Sequence, residues 1–177
     1  MNYKRILFLI LTSFCFSTGI QAQTCSNNLE PSSLTSRFTL NGNGTATDND
    51  TGLVWMRCSL GQSWDGDTCI EEAADLNWKL ALESAEVHSF AGNADWRLPN
   101  LKELKSITES ACYFPAINET IFPSLSDGYS NTFYWSSTPE IYINRHFDVW
   151  GVNFSSGSHS TKSKNLTARV RLVRNGE

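Results

Sequence analysis

The sequence is short of what catalysis usually requires. Among 177 residues there are only three His (His88, His146 and His159), and none lies at ligand-like spacing from a Cys. No Cys-x-x-Cys pair occurs, so a zinc site is poorly supported. No Ser sits in a nucleophile-elbow motif, and neither a nucleophile–base pair nor a metal triad is legible. The chain therefore reads as a non-enzyme. Positive charge is also scarce: 14 Lys and Arg stand against 18 Asp and Glu, for a net charge of -4. That balance excludes a general nucleic-acid binder, whose domain is strongly basic. Disorder is excluded by what is plentiful. Apolar residues make up 40% of the chain and aromatics 12%, with six Trp.

Long apolar runs are missing except at the start. Lys4 and Arg5 precede an almost wholly apolar stretch from Ile6 to Phe16, and Gly19-Ile20-Gln21-Ala22 ends on a small residue. This is the layout of a secretory signal peptide, with cleavage expected near Ala22 and a secreted or periplasmic destination. The run is shorter than the roughly 20 residues of a spanning helix, and no later stretch approaches that length, so no membrane span is expected after cleavage. Loss of Lys4 and Arg5 moves the net charge from -4 to -6. The remainder is uneven. Lys162, Lys164, Arg169, Arg171 and Arg174 against Glu177 give the C-terminal stretch +4, leaving -10 on residues 23–156.

Four of the five Cys follow the leader: Cys25, Cys58, Cys69 and Cys112. An even count behind a signal peptide reads as two disulfides in an oxidising compartment. Three pairings exist. Cys58 and Cys69 flank a short polar loop that can bring them together, which leaves Cys25 with Cys112.

Local patterns give an α+β order. Arg37–Leu40, Thr45–Thr47 and Leu53–Met56 read as strands of a meander, separated by the turns Asn41–Gly44 and Asp48–Gly52. A helix is expected from Glu71 to about Phe90, on the spacing of Ala74, Trp78, Ala81, Leu82 and Ala85. Asn100 with Glu103 forms a capping-box pattern for a second helix, whose apolar face is Leu101, Leu104 and Ile107. Residues from about 110 to 132 read as irregular. Later strands are expected at Tyr134–Ser137, Val149–Phe154 and Arg169–Val173, the last alternating between Val170 and Leu172 on one side and Arg169, Arg171 and Val173 on the other.

Several segments in order resemble one family. They are Gly44-Thr45-Ala46-Thr47-Asp48 through Leu53-Val54-Trp55, the loop Arg57–Trp64 with Cys69, Asp95-Trp96-Arg97-Leu98-Pro99-Asn100-Leu101-Lys102-Glu103-Leu104, Pro115–Asn118 with Phe122-Pro123, Tyr134–Ser137 and Val170–Arg174. Together they resemble the Lcl C-terminal domain family, named after the C-terminal domain of a collagen-like bacterial adhesin. The resemblance covers about residues 36–176, with residues 23–35 as an N-terminal segment tied by Cys25 and residues 1–22 as leader. It implies a C-type-lectin-like α+β single domain with two helices, short antiparallel strands, long loops and two disulfides. It also implies a distant likeness to the formylglycine-generating enzyme fold. That enzyme depends on late Cys residues, and none follows Cys112 here. The Gly-x-y repeat of the namesake's stalk is absent as well.

The expected site residues fall into two sets. Trp55, Trp96, Arg97, Leu98, Pro99 and Trp135 read as structural, with Arg97 suited to a bidentate carboxylate pair. Trp150, His159, Lys162, Lys164, Arg169 and Arg171 are the candidate ligand contacts, the cations for acidic or sulfated groups and Trp150 for a sugar face. No cofactor is required. Calcium through Asp48, Asn49 and Asp50 is the one option left open, although such clusters usually make turns, and Asn118, Glu119 and Asp127 lack a lectin-type triplet. The expected partner is an extracellular glycan or an envelope component. A structural role in envelope assembly is the alternative.

Overall fold

The computed structural model describes residues 22–123, 132–142 and 147–176. Residues 1–21 of the expected leader, Asp127 and His146 lie outside the described residues. The architecture is α+β. The order is β1 (Thr24–Cys25), β2 (Phe38–Leu40), β3 (Thr45–Asp48), β4 (Leu53–Met56), β5 (Ser63–Trp64), β6 (Cys69–Ile70), β7 (Leu76–Asn77), α1 (Trp78–Glu86), α2 (Leu101–Ser106), β8 (Cys112–Tyr113), β9 (Phe133–Pro139), β10 (Asp148–Asn153), β11 (Ser158–Ser163), β12 (Thr167–Ala168) and β13 (Val173–Asn175).

Two antiparallel sheets dominate. The meander forms as expected, and β13 adds to it to give the order β13-β4-β3-β2. The second sheet has the order β11-β10-β9. Between them lies one core group that includes Phe38, Trp55, Leu104, Ile107, Tyr134, Val152 and Phe154. A second group gathers Trp96, Leu98 and Trp135 with Ala81 and Ala85 of α1. Trp55, Trp96, Leu98 and Trp135 are thus core residues, and truncating either of the fully buried Trp would cost about 3–5 kcal/mol.

Helix α1 is shorter than its apolar spacing implies. The chain before it is held otherwise. Glu71 has a positive φ of 68°, Ala74 N donates to Leu60 O, and Leu76–Asn77 pairs with Thr167–Ala168. Glu71 and Glu72 therefore do not sit at the helix N-terminus. Asn77 caps it instead, its side chain accepting from Leu80 N at 3.0 Å. Helix α2 starts where the capping box places it. Asn100 Oδ1 accepts from Glu103 N at 2.9 Å, and Glu103 Oε2 accepts from Asn100 N at 2.8 Å.

The C-terminal stretch departs from the expected alternating strand. The ladder strand is Val173–Asn175, and residues 168–173 are all buried. Arg169 instead bridges in parallel to Tyr134: its N–H donates to Phe133 O, and its carbonyl accepts from Trp135 N. This segment runs between the sheets with protein on both sides, so the two-sided pattern of a surface strand does not apply. Strand β11, by contrast, is polar throughout and forms only because β10 offers it a partner.

Both disulfides form as paired from the sequence, Cys25–Cys112 and Cys58–Cys69. Cys25–Cys112 staples β1 to β8. The N-terminal segment is further docked by Glu109, which accepts from Ser32 N, Ser33 N and Ala111 N at 2.8–3.0 Å. Two disulfides suit an oxidising compartment such as the periplasm or the exterior. Among the described residues, no helix is long and apolar enough to cross a membrane.

Candidate functional site: an aromatic and basic face beside helix α2

Strand β10 decides which candidate side chains meet. Val149 and Gly151 face the second core group. Trp150 and Val152 face the other way, toward α2. Gly151 is required by close approach, since a Cβ there would lie 2.4 Å from the Phe133 ring. Val152 pairs with His159 of β11, so His159 shares the face of Trp150. The two rings lie 5.7 Å apart, tilted by 40°. Trp150 is half-buried and His159 exposed. Lys105, near the end of α2, places Nζ 3.2 Å from His159 Nδ1. An ammonium only donates, so the ring nitrogen accepts in this contact.

Trp150, His159 and Lys105 therefore form one surface cluster: an indole face, an imidazole and a cation. Such a set can stack on the apolar face of a ring while donating to hydroxyl, carboxylate or sulfate oxygens. Lys105 was not legible as a site residue. On the sequence it is one exposed Lys of a short amphipathic helix, and only the packing of α2 on β10 brings it to His159.

The other candidates separate from this cluster. Lys162 pairs with Val149 and so projects from the opposite face of the sheet, its Nζ 5.3 Å from the Phe133 ring and 6.0 Å from that of Trp135. It also donates to Thr167 O at 2.7 Å. Lys164 lies 5.0 Å over the Trp78 ring.

Arg169 and Arg171 correct the expectation of a continuous basic strip, because both are buried. Arg171, at 0% exposure, donates through Nη1 to Met56 O at 2.9 Å and also to Arg57 O. Its guanidinium lies 4.7 Å from the Phe122 ring and 5.6 Å from that of Tyr134. Burial pushes its pKa down from the ordinary arginine value. Its role here is to tie β4 to the C-terminal segment. A neighbouring arginine, Arg57, does similar work: it stacks 4.1 Å over Trp64 and donates to Ile121 O and Thr120 O at 2.9 Å.

The signature segment 95–104 is held by its own charges. Arg97 makes the bidentate pair its fork suits, with Glu103 as partner. Arg174 pairs with Asp95 at 2.8 Å. Pro99 is buried at the entry to α2, with its carbonyl accepting from Ser137 N.

The Asp48–Asn49–Asp50 segment is a turn rather than an open oxygen cage. Asp48 is fully buried. Its carboxylate accepts from Arg37 Nε at 2.7 Å, Thr51 Oγ1 at 2.7 Å and Asp50 N at 3.1 Å. Burial opposes its ionisation, but these bonds outweigh it and hold its pKa below the ordinary value. Among the described residues, no group of three His, Cys, Asp or Glu side chains is placed to hold a metal ion.

No curated protein matches the chain. The model of one family, the Lcl C-terminal domain, matches residues 44–174. That span covers well over half of the sequence and takes in the capping-box helix, the Arg97–Glu103 pair and the buried arginine segment, so the protein belongs to the Lcl C-terminal domain family.

Proposed function

We propose that this protein is a secreted or periplasmic binding module, without catalytic activity, that recognises glycans in adhesion or envelope recognition. Its α+β order, two helices, short antiparallel strands and two disulfides also support a C-type-lectin-like fold. The carrying observation is the surface cluster of Trp150, His159 and Lys105. Its indole suits the C–H face of a pyranose. Its imidazole and ammonium suit hydroxyl or anionic substituents on the same ring. Membership of a family named for an adhesin domain supports the same conclusion.

The test is a glycan array followed by elution from a sulfated-glycan column with rising salt. Retention at low salt that weakens as salt rises is the expected result for an anionic glycan. Array binding to neutral sugars alone would narrow the ligand to stacking without charge. Silence in both assays would remove glycan recognition.

A further inference from the structure

The N-terminal segment and the 109–120 stretch border a cavity of about 670 Å³, a size that suits a small molecule. Both walls are anchored. Cys25–Cys112 joins them and lines the cavity. Glu109 accepts from Ser32 N and Ser33 N, and Asn118 Nδ2 donates to Ser33 O at 2.8 Å.

The chemistry of the wall is one-sided. Glu30, Glu109 and Glu119 line it, and no Lys, Arg or His does. The arginines near its edge are committed elsewhere. Arg37 pairs with Asp48 and donates to Ser106 O, and Arg57 donates to Thr120 O and Ile121 O. Glu109 is spent on backbone N–H groups. Glu30 and Glu119 have no such partners among the described residues. Glu119 is exposed, yet the protein around it raises its carboxyl above the ordinary value with no donor opposing the rise.

Acidic side chains alone make a solvated surface. Ser33 adds a second, independent feature. It lines the same cavity at 1% exposure, and its Oγ has no hydrogen-bond partner. Its backbone N–H and carbonyl are taken by Glu109 and Asn118, so the hydroxyl is the polar atom left for an occupant. A buried hydroxyl without a partner costs free energy that a ligand donor would recover. Leu29 and Leu34, 55% and 52% exposed, add apolar wall.

We propose that this cavity binds an aliphatic diamine or polyamine, with Glu30 and Glu119 taking its ammonium groups, Ser33 Oγ accepting an N–H, and Leu29 and Leu34 covering the alkyl stem. An anion would meet no cation on this wall. A sugar face would meet no aromatic ring there, in contrast to the Trp150 cluster. A metal ion would lack ligands, since among the described residues no three His, Cys, Asp or Glu side chains are placed to hold one.

The experiment is calorimetric titration of the folded, disulfide-bonded protein with cadaverine and spermidine, with pentanediol and magnesium chloride as counter-probes. Both amines are expected to bind, more weakly as salt rises. Ser33→Ala should weaken binding about five-fold and leave the melting temperature unchanged or higher, because the hydroxyl has no partner in the free protein. Glu30→Gln combined with Glu119→Gln should weaken it about ten-fold. Glu72→Gln, an exposed acid outside the cavity, should bind as the parent does. Saturating cadaverine should slow reduction of Cys25–Cys112 more than that of Cys58–Cys69, since only the first lines the cavity. Failure of both amines to bind overturns the proposal. So does pentanediol or magnesium bound as tightly as cadaverine, which would leave only apolar or diffuse ionic attraction. Equal weakening by Glu72→Gln, or amine binding without selective protection of Cys25–Cys112, would place the ligand elsewhere and equally overturn it.

Discussion

Arg97 and Glu103 face each other through two parallel hydrogen bonds, Nη1 to Oε2 and Nη2 to Oε1, each 2.8 Å. The same Oε2 accepts from Asn100 N, so one carboxylate closes an ion pair and caps a helix at once. Arg97 is tied in turn to Asn175 and, through its backbone, to Val173. Glu103 thus links the start of α2 to the last strand of the domain.

Glu103→Ala is expected to destabilise the fold by about 1–2 kcal/mol. The lost cap is the larger part, because the Arg97 side chain is 39% exposed and the ion pair is screened by solvent. Asn100→Ala, which removes only the reciprocal cap, should cost about 1 kcal/mol. Urea midpoints of the two variants measure the difference, and equal midpoints would show that Glu103 acts as a cap alone.

Trp150→Ala should weaken glycan binding at least about ten-fold with little change in melting temperature, since the ring is half-buried on the surface. Trp135→Ala should instead cost about 3–5 kcal/mol of stability, because Trp135 is fully buried and its Nε1 donates to Leu76 O at 2.7 Å. Calorimetry alongside binding separates the two roles. A Trp150→Ala protein that unfolds as readily as Trp135→Ala would place Trp150 in the core.

The two disulfides should differ in both weight and accessibility. Loop entropy makes removal of Cys25–Cys112, separated by 87 residues, cost about 4–5 kcal/mol, against about 3 kcal/mol for Cys58–Cys69, separated by 11. Cys25 is exposed, whereas Cys58 and Cys69 are buried. Graded reduction followed by alkylation and mass spectrometry should therefore label Cys25 and Cys112 first. The N-terminal segment should then retain contact through Glu109, so Glu109→Gln combined with reduction should release it to proteolysis.

Acid should unfold the protein through a small set of carboxylates. For Asp48, Glu103 and Glu109 burial favours the neutral acid, yet their hydrogen bonds prevail and hold each pKa below its ordinary value of 3.8, 4.5 and 4.5. Their stabilisation is complete above those ordinary values and is lost as pH falls through the lower folded values. Stability is expected to be flat with respect to these groups above about pH 5 and to drop steeply below about pH 4. Denaturant titrations across that range measure the slope, and Asp48→Asn should flatten it. An unchanged slope would remove Asp48 from the acid transition.

Much of the local structure was legible. The Asn100–Glu103 box located α2, because capping is a contact within four residues. The Gly- and Asn-rich turns located the meander. The Cys spacing located both disulfides. What failed was long-range. The apolar spacing from Ala74 to Ala85 carried no sign that β12 would draw Leu76–Asn77 into an extended pair and start the helix later. The run Arg169–Val173 resembles a surface strand until the two sheets enclose it and turn a basic strip into buried ties.

The sequence by itself determined the class of the chain, its compartment chemistry, its caps and turns, and its family. These depend on composition and on residues close along the chain, where backbone entropy and local hydrogen bonds decide. The tertiary structure alone decided which cations reach solvent and which side chains meet. Register along β10 placed Trp150 with His159 and set Lys162 on the opposite face, and the docking of α2 supplied Lys105. The physical reason is that a side chain's exposure is fixed by what packs against it from distant parts of the chain, and in this fold those partners are more than fifty residues away for both Lys105 and Arg171.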